Sequence, residues 1–285
     1  MFCFVHTVIS LLDGKTLLIY EDFDEKIHVT NMETNECYCT IPNDNQDQYV
    51  NTISISPTGS MIVLGMDDGK IIIKKLDMST YGVDTGGNTI IFEHAQDRPI
   101  TCVVISTDER FIVSGGNDQI KIWEIGDDGH YGCKLTLQMD MVNSLAITSD
   151  GSSIVSTSSF GNICVWDTAL PGGKLIIVRQ HNYTHFIGAI LTNDDRHVVY
   201  IVNNILHMLD INTGMCTYTQ NNITKETIRS FTLLQQNFDQ FYTFQTILYT
   251  HNSTKNPTKN SIKKLQKHTI LHIKKYAGNY VGNYI

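Results

Sequence analysis

No acidic residue stands in the last 36 positions of this 285-residue chain. All 29 Asp and Glu precede Thr250, where 14 Lys and Arg face them, a balance of −15; residues 250–285 hold seven Lys, a balance of +7. An acidic body argues against sequence-independent nucleic-acid binding by residues 1–249. The basic tail reads as a solvated segment, or one attracted to an anionic surface. No apolar run approaches the roughly 18–20 residues of a membrane-spanning helix. The opening MFCFVHTVISLL is apolar but has no basic leader and no small-residue cleavage site, so it reads as structure and not as a signal peptide. The sequons at Asn182, Asn222 and Asn252 are then expected to stay unmodified.

The seven cysteines form no metal-style pairs, and their odd count without regular spacing points to a reducing compartment, hence the cytoplasm or the nucleus. Cys102 and Cys164 fall inside β-rich runs, where Cys serves as a small buried hydrophobe. Cys37 and Cys39 flank Tyr38 on one side of an expected strand. Catalytic patterns are absent as well. GMDDGK (65–70) and GGK (172–174) lack the spacer of a phosphate loop, and Gly69-Lys70 suits a β-turn. No nucleophile elbow and no His-Glu-x-x-His motif occurs. His181 and His185 are four apart, as are His268 and His272, but metal binding at that spacing uses a helix, which the first pair lacks. Asp127-Asp128 and Asp194-Asp195 sit in turns, which Asp favours. No metal, cofactor or catalytic residue is expected.

What the chain does have is a repeat. DERFIVSGGNDQIKIWEI (108–125) combines a polar turn, a β-rich run, a Gly-Gly-Asn-Asp corner and a second β-rich run. Equivalent stretches begin at Asp13, Thr58, Asp150 and Asp194, giving spacings of 45, 50, 42 and 44 residues. Each is preceded by a further β-rich run (VHTVISL, VNTISIS, ITCVVIS, VNSLAIT, FIGAILT), and a weaker fourth follows in most, such as KLTL (134–137) and KLIIV (174–178). Several short strands per unit of about 40–45 residues are the mark of propeller blades. Faces that stack on neighbouring blades are buried on both sides, which predicts near-continuous apolar runs such as FIVS and SLAI.

These units resemble WD-repeat β-propellers. Asp150–Asp167, DGSSIVSTSSFGNICVWD, follows the family pattern of turn, strand, turn and strand ending in Trp-Asp. Trp123-Glu124 is a conservative variant, while Thr30-Asn31, Lys74-Lys75 and Leu209-Asp210 fill that place elsewhere. The resemblance implies an all-β propeller of four-stranded antiparallel blades at about 5–45, 46–95, 96–140, 141–182 and 183–222. A partial sixth blade at 223–250 and a basic tail at 251–285 follow. Closure of such a ring uses an N-terminal strand, and Met1 to Phe4 are too few to supply one. An incomplete or divergent ring is expected, unless HTILHIKK (268–275) does part of that work.

In the family a hydrogen-bond network links a loop His, a strand Ser or Thr, a turn Asp and the strand Trp. The matching residues are His94, Ser114, Asp118 and Trp123 in the third blade, with Asp24, Asp68, Ser156 and Trp166 as partial sets in others. The resemblance implies a non-catalytic scaffold that binds proteins or peptides through a loop-lined face. A regulatory propeller cut from a larger signalling protein and a propeller with a central-channel ligand or catalytic site are the alternatives. Loops between blades share a face with the second-to-third-strand turns. Met139, Met141 and Phe160 are therefore expected on one rim, bordered by Tyr183, His185 and Arg98, unless Phe160 folds inward as packing.

Overall fold

Short β-branched runs separated by Gly, Asp and Asn corners build strands and hairpins, and every regular element among the described residues is a strand. The computed structural model describes residues 4–11, 14–22, 26–31, 33–41, 49–76, 82–83, 89–92, 97–126, 131–170, 173–180, 186–192, 194–202, 205–220, 230–234, 241–247 and 269–274.

The first sheet holds β1 (Phe4–Ser10), β2 (Thr16–Glu21), β3 (Ile27–Asn31) and β4 (Cys37–Ile41). The second holds β5 (Val50–Ile55), β6 (Met61–Met66), β7 (Ile71–Lys75) and β9 (Thr89–Phe92). From the connection between its last two strands, β8 (Gly82–Val83) pairs in parallel with β4, giving the first sheet a fifth strand. The third sheet is β10 (Cys102–Ile105), β11 (Phe111–Gly115), β12 (Gln119–Ile125) and β13 (Tyr131–Gln138). The fourth is β14 (Val142–Ile147), β15 (Ser153–Ser158), β16 (Asn162–Asp167) and β17 (Lys174–Gln180). The fifth is β18 (Phe186–Leu191), β19 (His197–Val202), β20 (Ile205–Asp210) and β21 (Cys216–Gln220). Apart from β8, strands within each sheet pair antiparallel in chain order. KLTL and KLIIV lie in the fourth strands β13 and β17.

The chain divides into two compact units, Met1–Lys225 and Glu226–Ile285. The first contains these five sheets. The second contains a three-stranded sheet of β22 (Ser230–Leu234), β23 (Phe241–Ile247) and β24 (Thr269–Lys274). Part of the basic tail is thus a strand, antiparallel to β23.

In the first unit the opening strands of consecutive sheets are neighbours, β1 to β5 to β10 to β14 to β18. The core is correspondingly layered. One apolar layer joins Leu17 and Ile19 to Ile53 and Leu64. The next joins Val63 and Ile73 to Val103 and Trp123. A third joins Phe111 and Val113 to Leu145 and Trp166, and a fourth joins Val155 and Val165 to Val198 and Tyr200. Second strands therefore have neighbours on both faces, and β6 and β11 are buried along their whole length. Close approach also requires glycine there. A Cβ on Gly65 would meet methyls of Ile100 and Thr52 at 2.6 Å, and one on Gly115 would meet Val142 Cγ1 at 2.6 Å.

The turns between first and second strands repeat one left-handed corner, occupied by Gly14, Gly59, Glu109, Gly151 and Asp195. A side chain there costs about 1–2 kcal/mol, and both exceptions use theirs to join sheets. Glu109 accepts hydrogen bonds from the Thr58 hydroxyl and from Ser60 Oγ at 2.8 Å. Asp195 accepts from the Ser149 hydroxyl and from its N–H at 3.0 Å.

The third-to-fourth-strand hairpins also share a device. In the first, third, fourth and fifth sheets the register shifts by one residue opposite Thr30, Trp123, Trp166 and Leu209, and the residues facing them are Cys37, Cys133, Leu175 and Cys216. Such bulges re-aim side chains.

Candidate partner-binding face

Backbone hydrogen bonds fix one face of the first unit. Tyr49 N–H donates to Asp67 Oδ1 (3.1 Å), and Asp67 N–H donates to the Tyr49 carbonyl (3.0 Å). Met141 N–H donates to the Asn117 carbonyl (2.7 Å), and Ser159 N–H donates to the Met141 carbonyl (2.9 Å). The loop entering the second sheet is thereby laid on that sheet's second-to-third-strand turn, and the loop entering the fourth on those of the third and fourth sheets. These loops and turns share a rim.

The turn of the fourth sheet is closed by Gly161 N–H donating to the Ser158 carbonyl (3.1 Å), as Gly69 N–H donates to Met66 in the second sheet (3.3 Å). Phe160 therefore stands where the second sheet has Asp68. Asp68 holds its own turn, accepting from Lys70 N–H (3.1 Å) and pairing with Lys70 Nζ (3.0 Å). In the fourth sheet Ser158 Oγ accepts from the Phe160 and Asn162 N–H groups instead. That frees position 160 of any turn duty, and the Phe160 ring is 49% exposed. Met141, held at φ 52°, is 41% exposed beside it.

Met139 departs from the rim expected for it. It is buried at 8% exposure, and its sulfur accepts a hydrogen bond from Ser156 Oγ at 2.8 Å. Ser156 in turn accepts from Trp166 Nε1 at 2.7 Å. The thioether takes the polar role that would otherwise leave a buried hydroxyl proton unpaired, so Met139 is core and the rim keeps Met141 and Phe160 only.

In the third sheet Trp123 Nε1 donates to Ser114 Oγ at 3.0 Å, and its ring stacks on Phe92 with centroids 4.9 Å apart. Asp118 lies at the surface, with Arg98 Nε 3.9 Å from its carboxylate and both side chains more than half exposed. His94, Asp24, Tyr183 and His185 lie outside the described residues.

Tyr49, at 63% exposure, belongs to the same rim and has no counterpart among the sequence candidates. Its signal is positional: it is the last residue before β5, as Met141 is before β14. Asp67 accepts from the Tyr49 N–H and Asp140 precedes Met141, while Asp68 is paired with Lys70 and Asp118 with Arg98. The arrangement offers separated apolar side chains on one rim.

The family model described as WD domain, G-beta repeat, matches residues 35–73 and 88–124. Each match begins with the fourth strand of one sheet and ends in the third strand of the next, β4 to β7 and β9 to β12. No curated protein matches the chain.

Proposed function

We propose that this chain, which carries WD repeats, is a non-catalytic interaction scaffold built on a propeller-type array of blades. It takes a protein or peptide partner on the rim of Tyr49, Met141 and Phe160. WD repeats generally mediate protein–protein interaction. The observation that carries the reading here is Phe160: an aromatic ring, half exposed, at a turn position that Asp68 fills in the second sheet. Aromatic and Met side chains are enriched at the centres of interfaces.

The test compares partner capture by the native chain, Phe160→Asp and Met215→Ser, the last an exposed position in the third-to-fourth-strand turn of the fifth sheet. Phe160→Asp is expected to abolish capture with its thermal midpoint unchanged or raised, and Met215→Ser to leave capture intact. Equal capture by all three sinks the assignment of this rim.

A further inference from the structure

The bulges of the third-to-fourth-strand hairpins hold a cysteine three times, exposed at Cys37 and Cys133 and half-buried at Cys216, each followed three residues later by threonine: CYCT (37–40), CKLT (133–136) and CTYT (216–219). In each the thiol donates to the carbonyl two residues on, at 3.2 Å for Cys37, 3.7 Å for Cys133 and 3.2 Å for Cys216. The three differ in what the third strand sets beside the threonine. Thr40 and Thr219 face His28 and His207, and Thr136 faces Lys121.

The first site is the most complete. His28 Nδ1 lies 3.1 Å from Thr40 Oγ1 and 3.9 Å from Cys37 Sγ. On the other side of the ring, His28 Nε2 is 2.6 Å from Asp22 Oδ2. The Asp22 carboxylate is held by its other oxygen, which accepts from Lys26 N–H at 3.0 Å, and the imidazole is stacked on Tyr20 with centroids 5.0 Å apart. A carboxylate on Nε2 fixes the tautomer with its proton there, leaving Nδ1 as an acceptor turned toward the thiol. Asp and Cys lie on opposite sides of one ring, which is the order of a relay and not of a metal cage. The fifth sheet repeats the ring side of the arrangement: His207 stacks on Tyr200 at 5.0 Å, with Cys216 Sγ at 3.9 Å and Thr219 Oγ1 at 3.3 Å from Nδ1.

We propose that Cys37 is a reactive thiol that exchanges with low-molecular-weight disulfides, with His28 as its base and Asp22 as the group that positions His28. In the reaction the Cys37 proton passes to His28 Nδ1, directly or through the Thr40 hydroxyl 3.7 Å from the sulfur. The thiolate attacks one sulfur of the disulfide and forms a new S–S bond. The old S–S bond breaks, and the departing thiolate takes the proton from the imidazolium. The products are a mixed disulfide on Cys37 and one free small thiol, with no other oxidant needed. Cys133 is the internal control, exposed and set in the same bulge but without an imidazole. Cys102 and Cys164 are buried, their thiols pushed up to about 12 and about 11 by burial, and should stay silent while the chain is folded.

The full chain is treated with oxidised glutathione, and modification of each cysteine is followed by peptide mass spectrometry. Cys37 is expected to react at least about tenfold faster than Cys133, within the reach of a positioned base, with Cys216 between them. His28→Gln should bring Cys37 down to the Cys133 rate without moving Cys133, and Asp22→Asn should give an intermediate rate. Equal rates for Cys37 and Cys133 in the native chain overturn the proposal, and that comparison needs no variant. So does a His28→Gln chain, with Cys102 and Cys164 still silent, whose Cys37 reacts at the native rate.

Discussion

The third and fourth sheets fill their packing layer with tryptophan, whereas the fifth fills it with tyrosine from the neighbouring strand. Trp123 and Trp166 pair across the sheet with Ile112 and Ile154, and their indole N–H groups reach Ser114 and Ser156 two residues further along the second strand. In the first and fifth sheets the tryptophan place holds Thr30 and Leu209, and the serine place holds Tyr20 and Tyr200. In the second sheet these places hold Lys74 and Leu64. In the third and fourth sheets a tryptophan on the third strand goes with a serine on the second, and in the first sheet a threonine goes with a tyrosine. Interiors packed near crystal density conserve volume across such a pair. The residue that names the repeat is one of two ways to supply it.

The largest effect should come from emptying that place. Trp123→Ala leaves a cavity between the second and third sheets and is expected to cost about 3–5 kcal/mol, read as a shift in denaturant midpoint against an exposed control such as Met215→Ser. Tyr200→Ser in the fully buried fifth-sheet place should cost a similar amount. The sharper measurement is Tyr200→Ser combined with Leu209→Trp, which rebuilds the third-sheet pair in the fifth. Recovery of part of the Tyr200→Ser loss supports shared volume, and a further loss breaks the comparison.

A smaller effect isolates the polar half of the pair. Ser156→Ala keeps nearly all of the volume but leaves Trp166 Nε1 without its acceptor and Met139 without its donor. An unpaired buried donor costs about 1–3 kcal/mol, so Ser156→Ala should fall below Trp123→Ala in the same denaturation series. A cost equal to that of the tryptophan would mean that the hydrogen bond, and not the volume, holds the layer.

The same contrast explains what was legible beforehand. Turn chemistry at Asp13, Thr58, Asp108, Asp150 and Asp194 and the β-rich runs around it locate five repeats, because each hairpin is a local structure. The parallel addition of Gly82–Val83 to the first sheet and the pairing of Thr269–Lys274 with β23 depend on partners far away in the chain. No local pattern carries them. The rim was readable at Phe160 and Met141 through alignment of one turn with another. Met139 was not, since nothing about a Met between Gln138 and Asp140 reveals that its sulfur turns inward to Ser156. The Asp22–His28–Cys37 line was hidden for the same reason: the bulge that re-aims Cys37 is a register shift, and no single residue marks it.

The smallest expected effect concerns acid. Asp194 in the fifth sheet's first turn accepts from the Thr192 hydroxyl (2.5 Å) and Arg196 N–H (3.0 Å), and it lies 3.1 Å from His197 Nδ1. Burial pushes its carboxyl upward, but these bonds outweigh burial and hold it down at about 2, from an ordinary 3.8. In the fourth sheet, hydrogen bonds led by the Ser152 N–H, with that of the Thr148 hydroxyl, also lower Asp150. The second sheet has Thr58 at this corner, whose hydroxyl accepts from Ser60 N–H at 3.2 Å and does not titrate in acid. A lowered carboxyl contributes stability that is present above its unfolded value and lost as pH falls through its folded one. For Asp194 that window runs from 3.8 down to about 2. The denaturant midpoint of the native chain should fall across it, and Asp194→Asn should flatten the fall while lowering the midpoint at neutral pH. Thr58→Val removes the bond from Ser60 N–H together with the one its hydroxyl donates to Glu109, and should lower the midpoint at neutral pH. A native-like acid slope in Asp194→Asn would show that the turn carboxylates do not set the acid limit of these sheets.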